Sequence, residues 1–399
     1  MGTPTAMGPS LLDGLLVIEA TDSPGAAFAA VLAADFGATV LVCEPPDKGS
    51  ALRRLGDPAI SGDWWAALAR NKASLALDAH HPAAGPVLER LAGAADLLFR
   101  DERAAPAVAE AAAASGRCLD VLMHPPGTDR PDLWPWSCRP EFAAAATGMM
   151  ALTGHADGPA VQPEIPLADY TAGMMALMQA MAARRAVDLA GAPPEPIALG
   201  LHEALLRMNE WQTVVATAKG LAERRNGNRF PMNTNIGNVF QTRDGCLLTV
   251  SAATPAVADR LLGMIGGEAL RTDPRFHTHT ARRENMDALE QVVAAWFRDL
   301  DRDEALRRVR EADVVVGPIA DAADIAEHPH LVARGSLAES AAIPDRPPMP
   351  SVLPMIAPGG GRIVGPGPAL GAGGDQALEA IGFTPREIAA LRRDGVIWC

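Results

Sequence analysis

Residues 15–44 alternate between two apolar runs and one small-residue helix pattern, and this alternation restricts the chain to few folds. "LLVIEAT" (15–21) reads as a buried strand, "PGAAFAAVLAADFGA" (24–38) as a helix stopped near Gly37, and "TVLVCE" (39–44) as a second strand. Connections this short make the strands parallel, joined by a right-handed crossover. The rhythm recurs with "KASLALD" as strand, "PAAGPVLERLAGA" as helix and "DLLFR" as strand, which predicts an α/β fold with a Rossmann-like sheet. The turn after the first strand reads "DSPGAA" and holds no G-x-G-x-x-G, so the usual dinucleotide cradle is absent.

Beyond residue 240 the pattern changes. "GNVFQTRDGCLLTVSA" predicts a hairpin turning at Arg243-Asp244-Gly245, followed by helices near 255–265, 284–298 and 302–311, together a compact α+β domain. Proline-rich stretches at 124–140, 191–196 and 343–361 mark seams between elements. "TPREIAALRRDGVIW" predicts an amphipathic helix capped by Thr384, with Glu387 three residues later closing a capping box.

Composition narrows the function classes. With 48% hydrophobic and 21% charged residues in 399, the chain has ample material for a large core. A net charge of −13 argues against non-specific nucleic-acid binding, and a polyanionic ligand would need a local basic pocket. Cys43, Cys118, Cys138, Cys246 and Cys399 form no C-x-x-C pair, which predicts a reducing cytoplasm and no structural metal. The first ten residues lack a signal-peptide pattern and no apolar run reaches membrane-spanning length, so a soluble cytoplasmic protein is expected.

Asp169 stands out in "PEIPLADYTAGMMALMQAMAARRA" (163–186), at the entrance to a long helix rich in small residues and methionine. Such an Asp can cap the helix and suit the positive end of its dipole. The methionines at 149, 150, 174, 175, 178 and 181 read as adaptable packing, and Trp64 and Trp65 as hydrophobic cover.

Several ordered segments together resemble family III CoA-transferases, the group that includes formyl-CoA, carnitine and succinyl-CoA transferases. They are "LLVIEAT…LAADFGATVLVCEPP", "ARNKASLALDAHHPAAGPVLERLAGAADLLFRD", "GMMALTGHADGPAVQPEIPLADYTAGMMALMQAMAARR", "GNVFQTRDGCLLTV", "TDPRFHTHTARREN", "VVVGPI" and the terminal helix. The resemblance implies that Asp169 is a covalent nucleophile. It implies acyl-CoA and small carboxylic acids as substrates, with coenzyme A thioester as substrate and no tightly bound cofactor, no metal and no membrane partner. It also implies an interlocked homodimer whose large domain (1–224 and 331–399) is built from both ends of the chain and whose small domain spans 225–330.

In the family a lysine matching Lys72 in "RNKAS" lies at the CoA site, which points to Asn71 and Lys72 as CoA-binding. Arg100 and Arg103, in "FRDER", occupy a stretch where the family contacts CoA through an Asn-Phe pair missing here. Gly227 and Gly237, in "RRNGNRFPMNTNIGN", are candidates for a loop supplying oxyanion donors. Departures from the pattern include Val42 for a usual lysine, "GAA" (25–27) for an Ala-Gly-Pro turn, a shortened "RPEFAAAATG" (139–148) and "GAGGD" (371–375). Two alternatives stay open: an α-methylacyl-CoA racemase, although "RPEFAAA" lacks the histidine such enzymes carry, and a CoA-binding subunit without turnover.

Overall fold

The computed structural model describes residues 10–124, 140–191, 193–221, 225–229, 235–338, 348–352 and 360–398. Most of the seams at 124–140 and 343–361, residue 192 of the one at 191–196, and the two cysteines Cys138 and Cys399 lie outside the described residues. The chain divides into two compact units, one of Met1–Met150, Gln162–Ala222 and Pro329–Cys399, the other of Ala151–Val161 and Glu223–His328.

In the large unit the alternation of the first hundred residues becomes β1 (Leu16–Ala20), α1 (Pro24–Asp35), β2 (Thr39–Glu44), α2 (Ser61–Leu68), β3 (Ala73–Leu77), α3 (Gly85–Ala94), β4 (Leu97–Arg100), α4 (Pro106–Ser115) and β5 (Leu119–His124). β6 (Ile197–Gly200) follows, and the strands stand in the order β3-β2-β1-β4-β5-β6. All five pairings among them are parallel. A short strand, Ile397–Trp398, adds to the outer edge of β3 in antiparallel sense, so residues from far along the chain complete the sheet begun at Leu16.

Helices cover both faces, which is why the strands read as continuous apolar runs. On one side α1 and the long helix Leu167–Ala190 pack over Val17, Val40, Phe99, Leu119 and Val121. On the other, α3, α4 and the C-terminal helix Pro385–Arg393 cover Ile18, Leu41, Leu75 and Leu98. That C-terminal helix has the expected cap: Thr384 accepts from the Glu387 N–H at 3.2 Å, and Glu387 reaches back to the Thr384 N–H. These contacts and Arg90 hold the Glu387 carboxyl down at about 2.

The strand order reverses between β1 and β4. In sheets of this kind, the crevice beyond the carboxyl ends of the strands at that reversal is where ligands bind. The loops there are tied together: Asp101, after β4, accepts from the Thr21 hydroxyl at 3.0 Å and the Asp22 N–H at 2.9 Å, both after β1.

The small unit holds the expected hairpin, β7 (Ile236–Gln241) and β8 (Leu247–Ala252), joined by β9 (Val315–Pro318) in an antiparallel sheet. Helices Pro255–Arg271, Met286–Arg298 and Arg302–Glu311 lie over its core of Phe240, Phe276, Leu289, Val293 and Phe297. The first of these loses helical dihedrals at Gly266 and Gly267, one residue beyond the span expected from sequence. Among the described residues no helix is long and apolar enough to cross a membrane.

Candidate active site

The turn after β1 starts α1. The Ser23 hydroxyl accepts from the Ala26 N–H at 3.5 Å as N-cap, and Pro24 follows with a fixed φ suited to the first helical turn. The next residue, Gly25, is where α1 meets the helix Leu167–Ala190. A β-carbon on Gly25 would lie 2.8 Å from the Asp169 carbonyl oxygen, and one on Gly173 would lie 2.5 Å from the Gly25 carbonyl oxygen. Two glycines, with Ala26, Ala29, Ala172 and Ala176 buried around them, let the two backbones touch.

That approach fixes Asp169. The residue lies in the first turn of its helix and is 2% exposed, but the N-cap position is held by Pro166. The Asp169 carboxylate turns toward the other helix and accepts the Gly25 N–H at 3.3 Å. It therefore faces the N-terminal end of a twelve-residue helix, whose first N–H groups and dipole favour negative charge. Among the described residues no side chain caps this helix, and Asp169 instead turns toward α1 and the cavity.

Asp169 lines a cavity of about 600 Å³ at the strand reversal, with Asp22, Ser23 and Pro24 after β1, Asp101, Glu102 and Arg103 after β4, and Met123, Leu201 and Leu205 on the β5–β6 side. Trp64 and Leu55 also line it. Tyr170 hydrogen-bonds Trp64 and stacks on Phe28 with ring centroids 4.5 Å apart, and burial pushes the Tyr170 hydroxyl pKa up. Trp64 is thus held at the cavity by a residue adjacent to Asp169. A smaller cavity adjoins over β3, β2, β1 and β4, lined by Cys43, Pro45, Ser50, Asp78 and His80, and sharing Asp22, Asp101 and Arg103 with the first.

The four residues expected to bind CoA have different fates. Arg103 lines both cavities, with an exposed side chain. Arg100 points elsewhere, in a two-bond fork on Asp120 at 2.7 and 2.8 Å. Asn71, at φ 64°, acts as a latch: it donates to Asp35 and to the Arg362 carbonyl, both at 2.9 Å, and accepts from the Val364 N–H. Lys72 lies away from both cavities. Its side chain is fully buried, its ammonium bonds Glu19 at 2.6 Å and the Ala27 carbonyl of α1 at 2.9 Å, and it presents no charge to a phosphate.

Burial pushes the Lys72 ammonium pKa down and the Glu19 carboxyl pKa up, each opposed by the charge of the other. Two of the lysine's three donors are occupied, and the pair ties β1 to the body of α1.

The glycine expectations also change. Gly237 is a residue of β7 paired with Ser251, so its backbone belongs to a sheet and not to a loop. Gly227 is in a turn with φ 69°, and its N–H is taken by the Gly154 carbonyl at 3.0 Å. Sequence reading missed Gly25 and Gly173 as the elements that seat Asp169. The available signal was a glycine four residues after Asp169 in a helix that otherwise has no need of one. Met149, Met150, Met175 and Met181 do pack against the core, whereas Met174 and Met178 are exposed.

Gly173→Ala is expected to destabilise the protein despite alanine's better helix propensity. Propensity returns about 1 kcal/mol, while overpacking against rigid backbone costs about 1–3 kcal/mol. A melting temperature equal to or above the parent's would contradict the close helix contact.

The sequence profile of CoA-transferase family III matches residues 12–110 and 136–373. A succinyl-CoA–D-citramalate CoA-transferase of Chloroflexus aurantiacus is 29% identical over 98% of this chain and 98% of its own. An acetyl-CoA:oxalate CoA-transferase of Acetobacter aceti is 28% identical over 83% of this chain and 86% of its own. In fold, a CAIB/BAIF family protein from Brucella suis superposes with a TM-score of 0.81 at 21% identity, covering 94% of this chain and all of that one. With the matching profile running through the strand reversal, the Asp169 helix and the small unit, the chain belongs to CoA-transferase family III.

Proposed function

We propose that the protein transfers coenzyme A between carboxylic acids through covalent intermediates on Asp169. The observation that carries this reading is the Asp169 carboxylate, buried at the strand reversal, lining the large cavity and facing the N–H of Gly25. The Asp169 oxygen attacks the thioester carbonyl of an acyl-CoA, the C–S bond breaks, and CoA thiolate leaves a mixed anhydride. The thiolate then attacks the Asp169 carbonyl carbon, releasing the donor acid and leaving an aspartyl-CoA thioester. An acceptor carboxylate repeats the two steps in reverse and restores Asp169, with no net proton transfer. Splitting the exchange in this way replaces one difficult displacement with steps of similar energy. The Gly25 N–H, at the start of α1, is suited to stabilise the oxyanions that form at this carbon.

Coenzyme A carries phosphates, and Arg103 is the cation among the described residues lining both cavities. In this reading Arg103 meets the CoA chain, which runs toward the smaller cavity. The relatives' named acids differ, D-citramalate in one and oxalate in another, so membership of the family fixes none for this chain. The functional unit in this reading is a homodimer. Met174, Met178 and Leu189, 48%, 63% and 71% exposed along the Asp169 helix, support it by offering apolar surface to a second copy. Sedimentation velocity should give the mass of two chains at micromolar concentration, and the mass of one would exclude the arrangement.

The reading is tested by trapping. Protein incubated with an acyl-CoA and then hydroxylamine should be modified on the peptide carrying Asp169, and labelling of another carboxylate with Asp169 untouched would reject it.

A further inference from the structure

Two cavities adjoin at the strand ends and share Asp22, Asp101 and Arg103. The smaller lies over β3, β2, β1 and β4, and the larger continues across β4 to β5 and β6. If the CoA chain leaves Asp169 on the Arg103 side, the group attached to the reacting carbonyl must turn the other way. There it meets Met123, Leu201 and Leu205, which are 1%, 3% and 0% exposed, with Leu167 beside Asp169 and Trp64 and Leu55 lining the same space.

From this we infer that the acids exchanged at Asp169 are apolar monocarboxylates, branched, medium-chain or aromatic, and not dicarboxylates. The inference rests on the reading of Asp169 as nucleophile and deepens it. One carboxylate of the substrate must meet Asp169. A second, carried on the chain toward Leu201 and Leu205, would lie against hydrocarbon; among the described lining residues Arg103 is the one cation, Ser23 and Gln162 offer only neutral contacts, and a buried charge without a counter-ion is strongly disfavoured. Turning back toward Arg103 does not solve the problem. That route displaces the CoA phosphates and passes Asp22, Asp101 and Glu102, which line the cavity beside the arginine; Glu164 adds a further carboxylate. A methyl or phenyl terminus meets no such barrier, and each methylene reaching the wall should tighten the transition state by about fourfold.

Self-exchange isolates the acid from every other variable, because an acyl-CoA and its own isotope-labelled free acid need no second substrate. The purified full chain would be given hexanoyl-, isovaleryl- or phenylacetyl-CoA with the matching labelled acid, and in parallel succinyl- or glutaryl-CoA with theirs, with label in the thioester followed by mass spectrometry. The apolar acids should exchange with kcat/KM at least about a hundredfold above the dicarboxylic acids, the factor set by an unpaired buried charge. Faster or equal exchange of succinate or glutarate, or no exchange of any apolar acid, overturns the inference. Hydroxylamine trapping on the same samples separates the two claims. Asp169 labelled by succinyl-CoA with rapid succinate exchange rejects the substrate class and leaves the nucleophile standing, whereas exchange with Asp169 unlabelled rejects the nucleophile.

Discussion

Asp169→Ala should reduce CoA transfer by about 10⁴-fold or more, because a nucleophile that carries both covalent intermediates has no substitute among its neighbours. The fold should survive. The N-cap is Pro166 and not Asp169, and the losses include the hydrogen bond from Gly25, with about 1–3 kcal/mol for leaving that N–H unpaired. Affinity for free CoA, measured by calorimetry, should change little, since the aspartate contributes chemistry at the thioester and not contact with the phosphates. Transfer within tenfold of the parent would remove Asp169 from the mechanism, whatever the trapping experiment labels.

Lys72→Met is expected to have the largest effect on stability. It leaves the Glu19 carboxylate buried without its partner, and breaking such a pair costs about 3–5 kcal/mol. The double variant Glu19→Gln with Lys72→Met should recover much of that loss, because both charges are then gone. A pH signature follows from the direction of the Glu19 shift. Its folded pKa is raised above the ordinary 4.5 by burial, and with Lys72 removed nothing opposes the rise. A raised folded pKa gives stability that is present below the unfolded value and lost as pH climbs through the folded one. Denaturant midpoints for Lys72→Met should therefore fall as pH is raised above about 4.5, more steeply than for the parent. The opposite result, unchanged stability with CoA affinity about tenfold weaker, is what a phosphate-contacting lysine would give, and it would reinstate that role.

The contrast between Asp169 and Lys72 shows what was legible in the sequence. β2 and the hairpin turn at Arg243-Asp244-Gly245 were readable because apolar runs bounded by glycine or a short polar turn carry their own limits. Asp169 stood out as a candidate because its surrounding motif is local. The burial of Lys72 was not readable, since it depends on Glu19, on a strand not even adjacent to β3, and on a carbonyl in the first turn of α1. A sign was present all the same: Glu19 lies inside "LLVIEAT", and a carboxylate in a strand covered on both faces needs a cation from somewhere. The bonds of Asn71 were not legible for a related reason. Its neighbours Arg362 and Val364 are brought beside it only when the chain has come back on itself. Gly237 resembled a loop residue because the polar stretch Asn233-Thr234-Asn235 precedes it, yet the pairing with Ser251 places it in a strand.

The strand Ile397–Trp398 sets an order of events during synthesis. β3 is made early, but the edge it offers at Ala76 and Leu77 is covered only by residues produced after the whole small unit. The parallel core from β1 to β5 can begin to collapse on the ribosome, and residues 223–328 can condense on their own hairpin, while that edge still faces outward. An uncovered strand edge is a template for pairing with other chains, and contacts between distant parts of a chain are slow to form. The nascent protein is therefore most exposed to mispairing in the interval between the emergence of the small unit and the arrival of Ile397, a period in which holding by a chaperone would have the greatest influence on yield.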